Sequence, residues 1–510
     1  MNVLTRTERA REAPGPFTAA TTRCVALTSL ALTLAACAPV KQVSVDPGDA
    51  TPGMIHFGSL NLVPEIGIGA ARPHTTVTAP WDMESVTTFP EQSGFDGSVP
   101  NPEALVTATA VDAESGIRSV EIAGRMTAWC NPTWNSPTPP RRVDGMLAPV
   151  VVGDPNPVAG ASGTQPRERR AIVVLRHSEL RALCGSEVLT DFEIVVDAVA
   201  RNGLGLESRS RARVVRPVQV VVHNMWGPCL TELQHAGDRD LGGAPLCSGL
   251  HHQQPGTGPG LQTHLNEVLD RWGRYFAKQD IVLLNEASWA PWIDRMRMSM
   301  PDHALAYRGS VAIFSRWPLG NVSDRATPAV CVVDVDGTTL CGINAVWSEY
   351  VRALVETPRG TMDVMSLHWQ HRPVPVTSHP SRVDFARTIV RELLTSNWAL
   401  VGGDFNSKSV WIASQDELIG GSDEETARMR ATHAGMRGRS QPEIAEMESA
   451  FTNARREVWE NDLSRWSHAF PWPGDFVFLR NRLHAVQYTN DQSGVIGSDH
   501  PTIRVLLMRR

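Results

Sequence analysis

Lysine is scarce in this sequence. Lys41, Lys278 and Lys408 are the only three in 510 residues, so arginine carries nearly all of the positive charge. Basic residues number 48 and acidic residues 54, for a formal net charge of −6, so no strong field draws the chain to nucleic acid. No two cysteines stand in a C-x-x-C pair, which argues against a structural zinc site. Glycine-rich nucleotide loops, a serine-elbow and a His-Glu-x-x-His pair are all missing, so none of those chemistries has a motif here. No internal repeat is visible. The apolar run near the N-terminus is too short to span a bilayer.

What remains is the composition of a folded protein, 42% hydrophobic and 20% charged, too long for one ordinary domain. After Arg23 the chain reads CVALTSLALTLAAC, an apolar export-signal core closing on small residues and Cys37. This ending resembles the lipobox of bacterial lipoproteins. The likeness implies a signal over residues 1–37, a lipid on Cys37, and a membrane-anchored or secreted protein of the bacterial cell envelope, outside the cytoplasm. The plainer alternative is an ordinary export signal with an incidental cysteine. Cys24 would leave with the signal, and six cysteines would remain: Cys130, Cys184, Cys229, Cys247, Cys331 and Cys341. In an oxidising compartment an even remainder predicts three disulfides, and sequence proximity favours 130–184, 229–247 and 331–341.

Residues 38–60 are polar and read as a tether. From 61 to 215 the pattern is β: ALVTATAVD, IRSVEIAG and DFEIVVDAVARNG alternate, with Asn131 to Arg170, rich in Pro and Gly, read as a long loop or insertion. These segments resemble the immunoglobulin-like modules of bacterial surface proteins, which implies a β-sandwich spacer or docking module. From 216 to 510 strands alternate with helical stretches such as Leu261–Lys278 and Val383–Leu394, the pattern of a single α/β domain. It holds 29 Lys/Arg and 32 Asp/Glu, a net of −3.

Polar residues recur where the apolar strand candidates of this part begin or end. VQVVVHNMW closes on Asn224, DIVLLNEAS on Glu286, MDVMSLHWQH on His368, and ALVGGDFNS on Asp404 and Asn406. PWPGDFVFL opens on Asp475, and VIGSDHPTI carries Asp499 and His500 just before the last strand. Each alone reads as a turn or cap; Asp404 and Asn406 make an ordinary Asx-turn pattern. Together, carboxylates, amides and histidines at one sheet edge form an oxygen-rich site for a hard divalent ion, with a histidine beside an aspartate to handle the proton of a water.

This series, with the block GSVAIFSRWPL (Gly309–Leu319), resembles the endonuclease/exonuclease/phosphatase superfamily over about Val218 to Leu507. The resemblance implies a four-layer α/β sandwich of two packed mixed sheets flanked by helices, and metal-dependent phosphoester hydrolysis using Mg2+, or Mn2+ or Ca2+. It makes Glu286, Asn224 and Asp499 the metal ligands and Asp404 the residue that positions or activates water. It pairs His500 with Asp475 as the general base or transition-state hydrogen-bond donor, makes His368 a donor to a phosphoryl oxygen, sets Asn406 on the phosphate or at a second metal position, and sets Arg352 on the phosphate. Two departures stand out: Asn-Glu replaces the usual Gln-Glu at Glu286, and a long insertion separates Asn406 from Asp475.

His368 and His371 stand three apart, a spacing that on a strand sends them to opposite faces rather than to one zinc ion. Trp289, Trp292, Trp317, Trp347 and Trp369 could stack on bases, enter lipid or pack a core. ASWAPWIDRMRMSM is either an apolar hairpin for a lipid surface or the helix after Glu286. Extracellular nucleic acid is the leading substrate, a phospholipid phosphodiesterase or a phosphatase is the alternative, and the protein is expected to act as a monomer. A non-catalytic adhesion lipoprotein is the alternative from another class.

Overall fold

A computed structural model describes residues 103–112, 116–155, 165–203, 205–225, 259–287, 290–326, 349–369, 382–407, 441–459, 474–491, 500 and 502–509, with short strands at 54–57, 61–62, 77–78, 84–88, 332–333 and 339–340. The signal segment with Cys37, most of the tether, the 229–247 and 331–341 cysteine pairs, Trp289, Trp347, His371 and Asp499 lie outside the described residues.

Two six-stranded sheets make the centre of the C-terminal part. The first runs Ala304–Arg308, Val311–Ser315, Ile281–Asn285, Val218–Asn224, Thr502–Arg509, Leu483–Asp491. The second runs Leu319–Ala326, Glu349–Thr357, Gly360–His368, Trp398–Asp404, Asp475–Asn481, Thr452–Asn453. Both mix parallel and antiparallel pairs: Val218–Asn224 is parallel to Ile281–Asn285, and Gly360–His368 to Trp398–Asp404.

The central strands are apolar on both sides, as strands covered on both faces must be. Val218, Val220, Val222 and Leu283 of the first sheet meet Val351, Val364, Leu400 and Val477 of the second. The alternate residues point outward. Val221, Val282 and Leu284 pack under helices Pro259–Phe276 and Ala290–Met298, against Leu269, Trp272 and Met296. Met365, Leu367 and Val401 pack under helices Arg382–Leu393 and Pro442–Glu448, against Phe385, Ile389 and Met447. Helix, sheet, sheet, helix is the four-layer order expected. The Ala290–Met298 stretch is a helix that buries Trp292, Ile293 and Met296, not an apolar hairpin. Trp292, Trp317 and Trp369 are all core residues. Among the described residues no helix is long and apolar enough to cross a membrane.

The preceding part is two sheets around one apolar core, with Val106, Ala108 and Val173 facing Val120, Ile122, Ile194 and Val196. The loop expected over Asn131 to Arg170 is corrected here. It contains the strand Arg141–Gly153, paired along Ile117–Asn131 at the sheet's edge. Its one proline, Pro149, is tolerated because an edge strand does not need every N–H. Cys130 and Cys184 are bonded, as expected, with Cα atoms 5.4 Å apart.

The two parts meet in a buried junction. Asp191 accepts from Arg359 Nε at 2.9 Å and from Arg509, and Arg216 donates to Asp280 at 2.6 Å. Trp134 stands edge-on to Trp317, with ring centroids 6.3 Å apart.

Candidate active site

Strand ends from both sheets meet at the opposite end from this junction. Asn224 ends a strand of the first sheet, and Glu286 follows its parallel neighbour. In the second sheet His368, Asp404 and Asp475 sit side by side in register on three adjacent strands. His500 comes two residues before the strand Thr502–Arg509.

The two glycines before Asp404 explain how the sheets approach there. A Cβ on Gly402 would lie 2.6 Å from Leu283 Cδ1 and 2.8 Å from Val222 Cγ2, both across the seam. Gly403 has φ +150, and a Cβ there would run into the Leu367 carbonyl. Period two then turns Asp404 to the same seam as Gly402, toward Asn224. Two non-glycine residues of the site, Glu286 and Asn406, have left-handed backbones with φ of 53° and 46°. Ala287 N–H donates to the Ser310 carbonyl at 2.8 Å, which fixes the chain just past Glu286.

Asn224 Nδ2 donates to Glu286 Oε1 at 3.1 Å and to Asp404 Oδ2 at 3.2 Å, setting the two carboxylates beside each other. His368 Nε2 lies 3.7 Å from Glu286 Oε1 and 3.9 Å from Asp404 Oδ2. Asn406 N–H donates to Asp404 Oδ1 at 2.7 Å, so the plain Asx-turn is present as well as the site. Asn406 Nδ2 donates to the Trp369 carbonyl at 2.7 Å and lies 3.4 Å from His368 Nε2. His500 Nδ1 is 2.5 Å from Asp475 Oδ2.

Of the residues assigned from sequence, Asn224, Glu286, His368, Asp404, Asn406, Asp475 and His500 are brought together. Arg352 is not. Its Nε and Nη2 donate to the two oxygens of Asp363 at 2.6 and 2.7 Å, three residues along the strand from the end that meets His368. An arginine occupied in this bidentate way is held by its neighbouring strand rather than offered to a phosphate.

Two groups of potential ligand atoms lie within 4.8 Å of one another: Glu286, His368 and Asp404, and Asp404, Asp475 and His500. The buried Asp404 and Asp475 have no lysine or arginine in ion-pair contact among the described residues. Asp475 Oδ1 is buried with no hydrogen-bond partner among the described residues. Burial, followed by the neighbouring Asp404 and Glu286 carboxylates, pushes the Asp475 carboxyl up to about 6 against the pull of His500. Carboxylate oxygens buried together, with no arginine or lysine in ion-pair contact among the described residues, are a fitting donor set for a hard divalent cation.

Strand spacing did not point to His223. It is fully buried, lies 3.0 Å from Thr502 Oγ1, and meets Trp272 edge-on with ring centroids 4.6 Å apart. Burial first, and the nearby His500 second, push it down to about 3, so it stays neutral. Its signal in the sequence is only its place beside Asn224.

The model of the Endonuclease/Exonuclease/phosphatase family matches residues 233–500, more than half of the chain. The chain belongs to that family. Solved structures similar to this family member include an endonuclease/exonuclease/phosphatase from Bacteroides vulgatus, at 13% identity over 58% of this chain and 99% of that one, with a TM-score of 0.33. The mannosyl-6-phosphatase of Bacteroides thetaiotaomicron is similar at 12% identity over 57% and 99%, with a TM-score of 0.32. The human Nocturnin catalytic domain is similar at 12% over 58% and 94%, with a TM-score of 0.34. No curated protein matches the chain.

Proposed function

We propose that the protein is a divalent-metal-dependent phosphoester hydrolase, most specifically a phosphodiesterase that cleaves extracellular nucleic acid. The observation that carries this reading is the convergence of Asp404 and Asp475, buried and with no lysine or arginine in ion-pair contact among the described residues, on Glu286 and two histidines. Glu286, Asn224, Asp404 and Asp499 would hold the metal, which when bound neutralises a non-bridging phosphoryl oxygen and the leaving oxygen. His500, fixed by Asp475 through Nδ1, takes the proton of the attacking water at its other ring nitrogen. Asp404 orients that water, while His368 and Asn406 hold the phosphoryl oxygens. Water attacks in line, and no covalent intermediate is needed.

Export and tethering through Cys37 complete the reading, with residues 61–215 as an immunoglobulin-like spacer. The bonded Cys130–Cys184 pair supports an oxidising compartment. The helix at Ala290–Met298, with its aromatic residue turned inward, favours nucleic acid over a lipid surface.

The test is hydrolysis of plasmid DNA, RNA, sphingomyelin and bis-p-nitrophenyl phosphate, each with Mg2+ or Mn2+ and with EDTA, beside a His500→Ala control. Metal-dependent cleavage that falls about 100-fold or more in the variant is the expected result. A folded protein inert on all four substrates would refute the phosphodiesterase reading.

A further inference from the structure

A buried polar cluster lies directly behind Asn406. Arg382, the first residue of helix Arg382–Leu393, places Nη1 2.7 Å from the Asn406 carbonyl oxygen, 2.9 Å from Ser407 Oγ and 3.3 Å from Glu443 Oε1. Ser407 Oγ donates to that same Glu443 oxygen at 2.6 Å. Arg382, Ser407 and Glu443 are only 8, 3 and 8% exposed. Glu443 belongs to helix Pro442–Glu448, 36 residues beyond Ser407 and within the long insertion between Asn406 and Asp475. Thus the chain leaves the site at Ser407 and returns to the same point through Glu443.

Burying an ion pair is expensive, and pairs of similar volume made of apolar residues often stabilise a fold better. Here desolvation lowers the Arg382 pKa, with Glu443 and then Asp404 pulling the other way. Such a cluster gains its value from what it orients. Arg382 holds the carbonyl of Asn406, whose backbone is left-handed and whose amide reaches the Trp369 carbonyl and His368.

We propose that Glu443 and Arg382 form a clamp that positions Asn406 in the active site. The proposal rests on the phosphoester-hydrolase reading for its effect on rate, though not for its effect on geometry. Glu443 fixes the Arg382 guanidinium, Arg382 fixes the Asn406 carbonyl, and the Asn406 amide is thereby kept beside His368. Without the Glu443 carboxylate, Arg382 and Ser407 both lose a shared acceptor. The Asn406 peptide then relaxes, and the amide moves relative to His368. Glu443 is a positioning residue, since among the described residues it touches none of the proposed metal ligands.

The experiment uses the full protein with Glu443→Ala, Glu443→Gln and Arg382→Lys. Kinetics on bis-p-nitrophenyl phosphate across Mn2+ concentrations are paired with NMR of 13C-labelled histidines in the absence of substrate. Glu443→Ala should lose about 10- to 100-fold in kcat, the range for a supporting residue of this kind. Glu443→Gln should recover part of the loss, and half-activation by Mn2+ should not move. The His368 resonances should shift, while those of the remote His484 stay in place. A variant that melts lower but keeps kcat and the His368 resonances would show a merely structural role and overturn the clamp. So would a raised Mn2+ requirement with kcat unchanged. If Glu443→Ala does not fold, Glu443→Gln decides by the same readouts. If the wild type is inert, the functional reading fails separately. The NMR arm then decides alone, a His368 shift upholding the clamp and its absence overturning it.

Discussion

Where the strands Val218–Asn224 and Gly360–His368 begin, Asp191 and Asp280 are buried among arginines; where those strands finish, Asp404 and Asp475 are buried with no arginine or lysine in contact among the described residues. Burial alone would raise the Asp191 pKa, but Arg359, Arg509 and Arg216 together hold it below the usual carboxylate range. Asp475, equally buried, is pushed up to about 6. The two ends thus set the same chemical group to opposite uses. A carboxylate buried among arginines joins two parts of the molecule, and one buried without them is the kind of perturbed group that marks a candidate site.

The difference can be broken from either end. The largest stability change is expected at the junction: Asp191→Ala leaves buried guanidinium groups without their carboxylate and should cost about 3–5 kcal/mol in urea unfolding. Mn2+ should not restore it. A loss below about 1 kcal/mol would mean that the junction does not hold the two parts together. Because the Asp191 pKa is lowered, its contribution is present above the unfolded-state carboxylate value and is lost as pH falls through the native one.

Asp475 has the opposite sign. A folded pKa of about 6 against 3.8 unfolded destabilises the metal-free protein increasingly from pH 4 to 6, and fully above that. Asp475→Asn should therefore be more stable than wild type at pH 8 in EDTA, by up to about 3 kcal/mol, with the gain gone near pH 4. Urea titrations at the two pH values check this, and a less stable variant at pH 8 would contradict the excess of negative charge. The smallest effect belongs to Arg352, which is one-quarter exposed and paired with Asp363. Arg352→Ala should cost about 1 kcal/mol or less and leave kcat/KM within about twofold of wild type. A tenfold rise in KM would return it to the phosphate.

The α/β architecture was legible because both helix and strand periods are strong: the apolar faces of Pro259–Phe276 and Arg382–Leu393 and the short, doubly apolar strands follow from local pattern. The residues that cluster in the candidate site were legible for the same reason. Strand exits at Asn224, Glu286, His368 and Asp404 lie where apolar runs stop at polar groups, and the resemblance to a family ordered them. Arg352 misled because nothing local shows that Asp363, eleven residues on, faces it across a hairpin. The strand at Arg141–Gly153 was hidden by proline and glycine, whose local preference is outweighed at a sheet edge by pairing with the long neighbouring strand.

By itself, then, the sequence determined the main strands and helices of the C-terminal part, and which chemical groups stand at their ends, because those properties depend on residues a few positions apart. Tertiary structure alone decided which buried charges are answered. Asp191 meets Arg509 across 318 positions, and Glu443 meets Ser407 across 36. Electrostatic compensation depends on distance in space and on the exclusion of water, and neither can be read from neighbours along the chain.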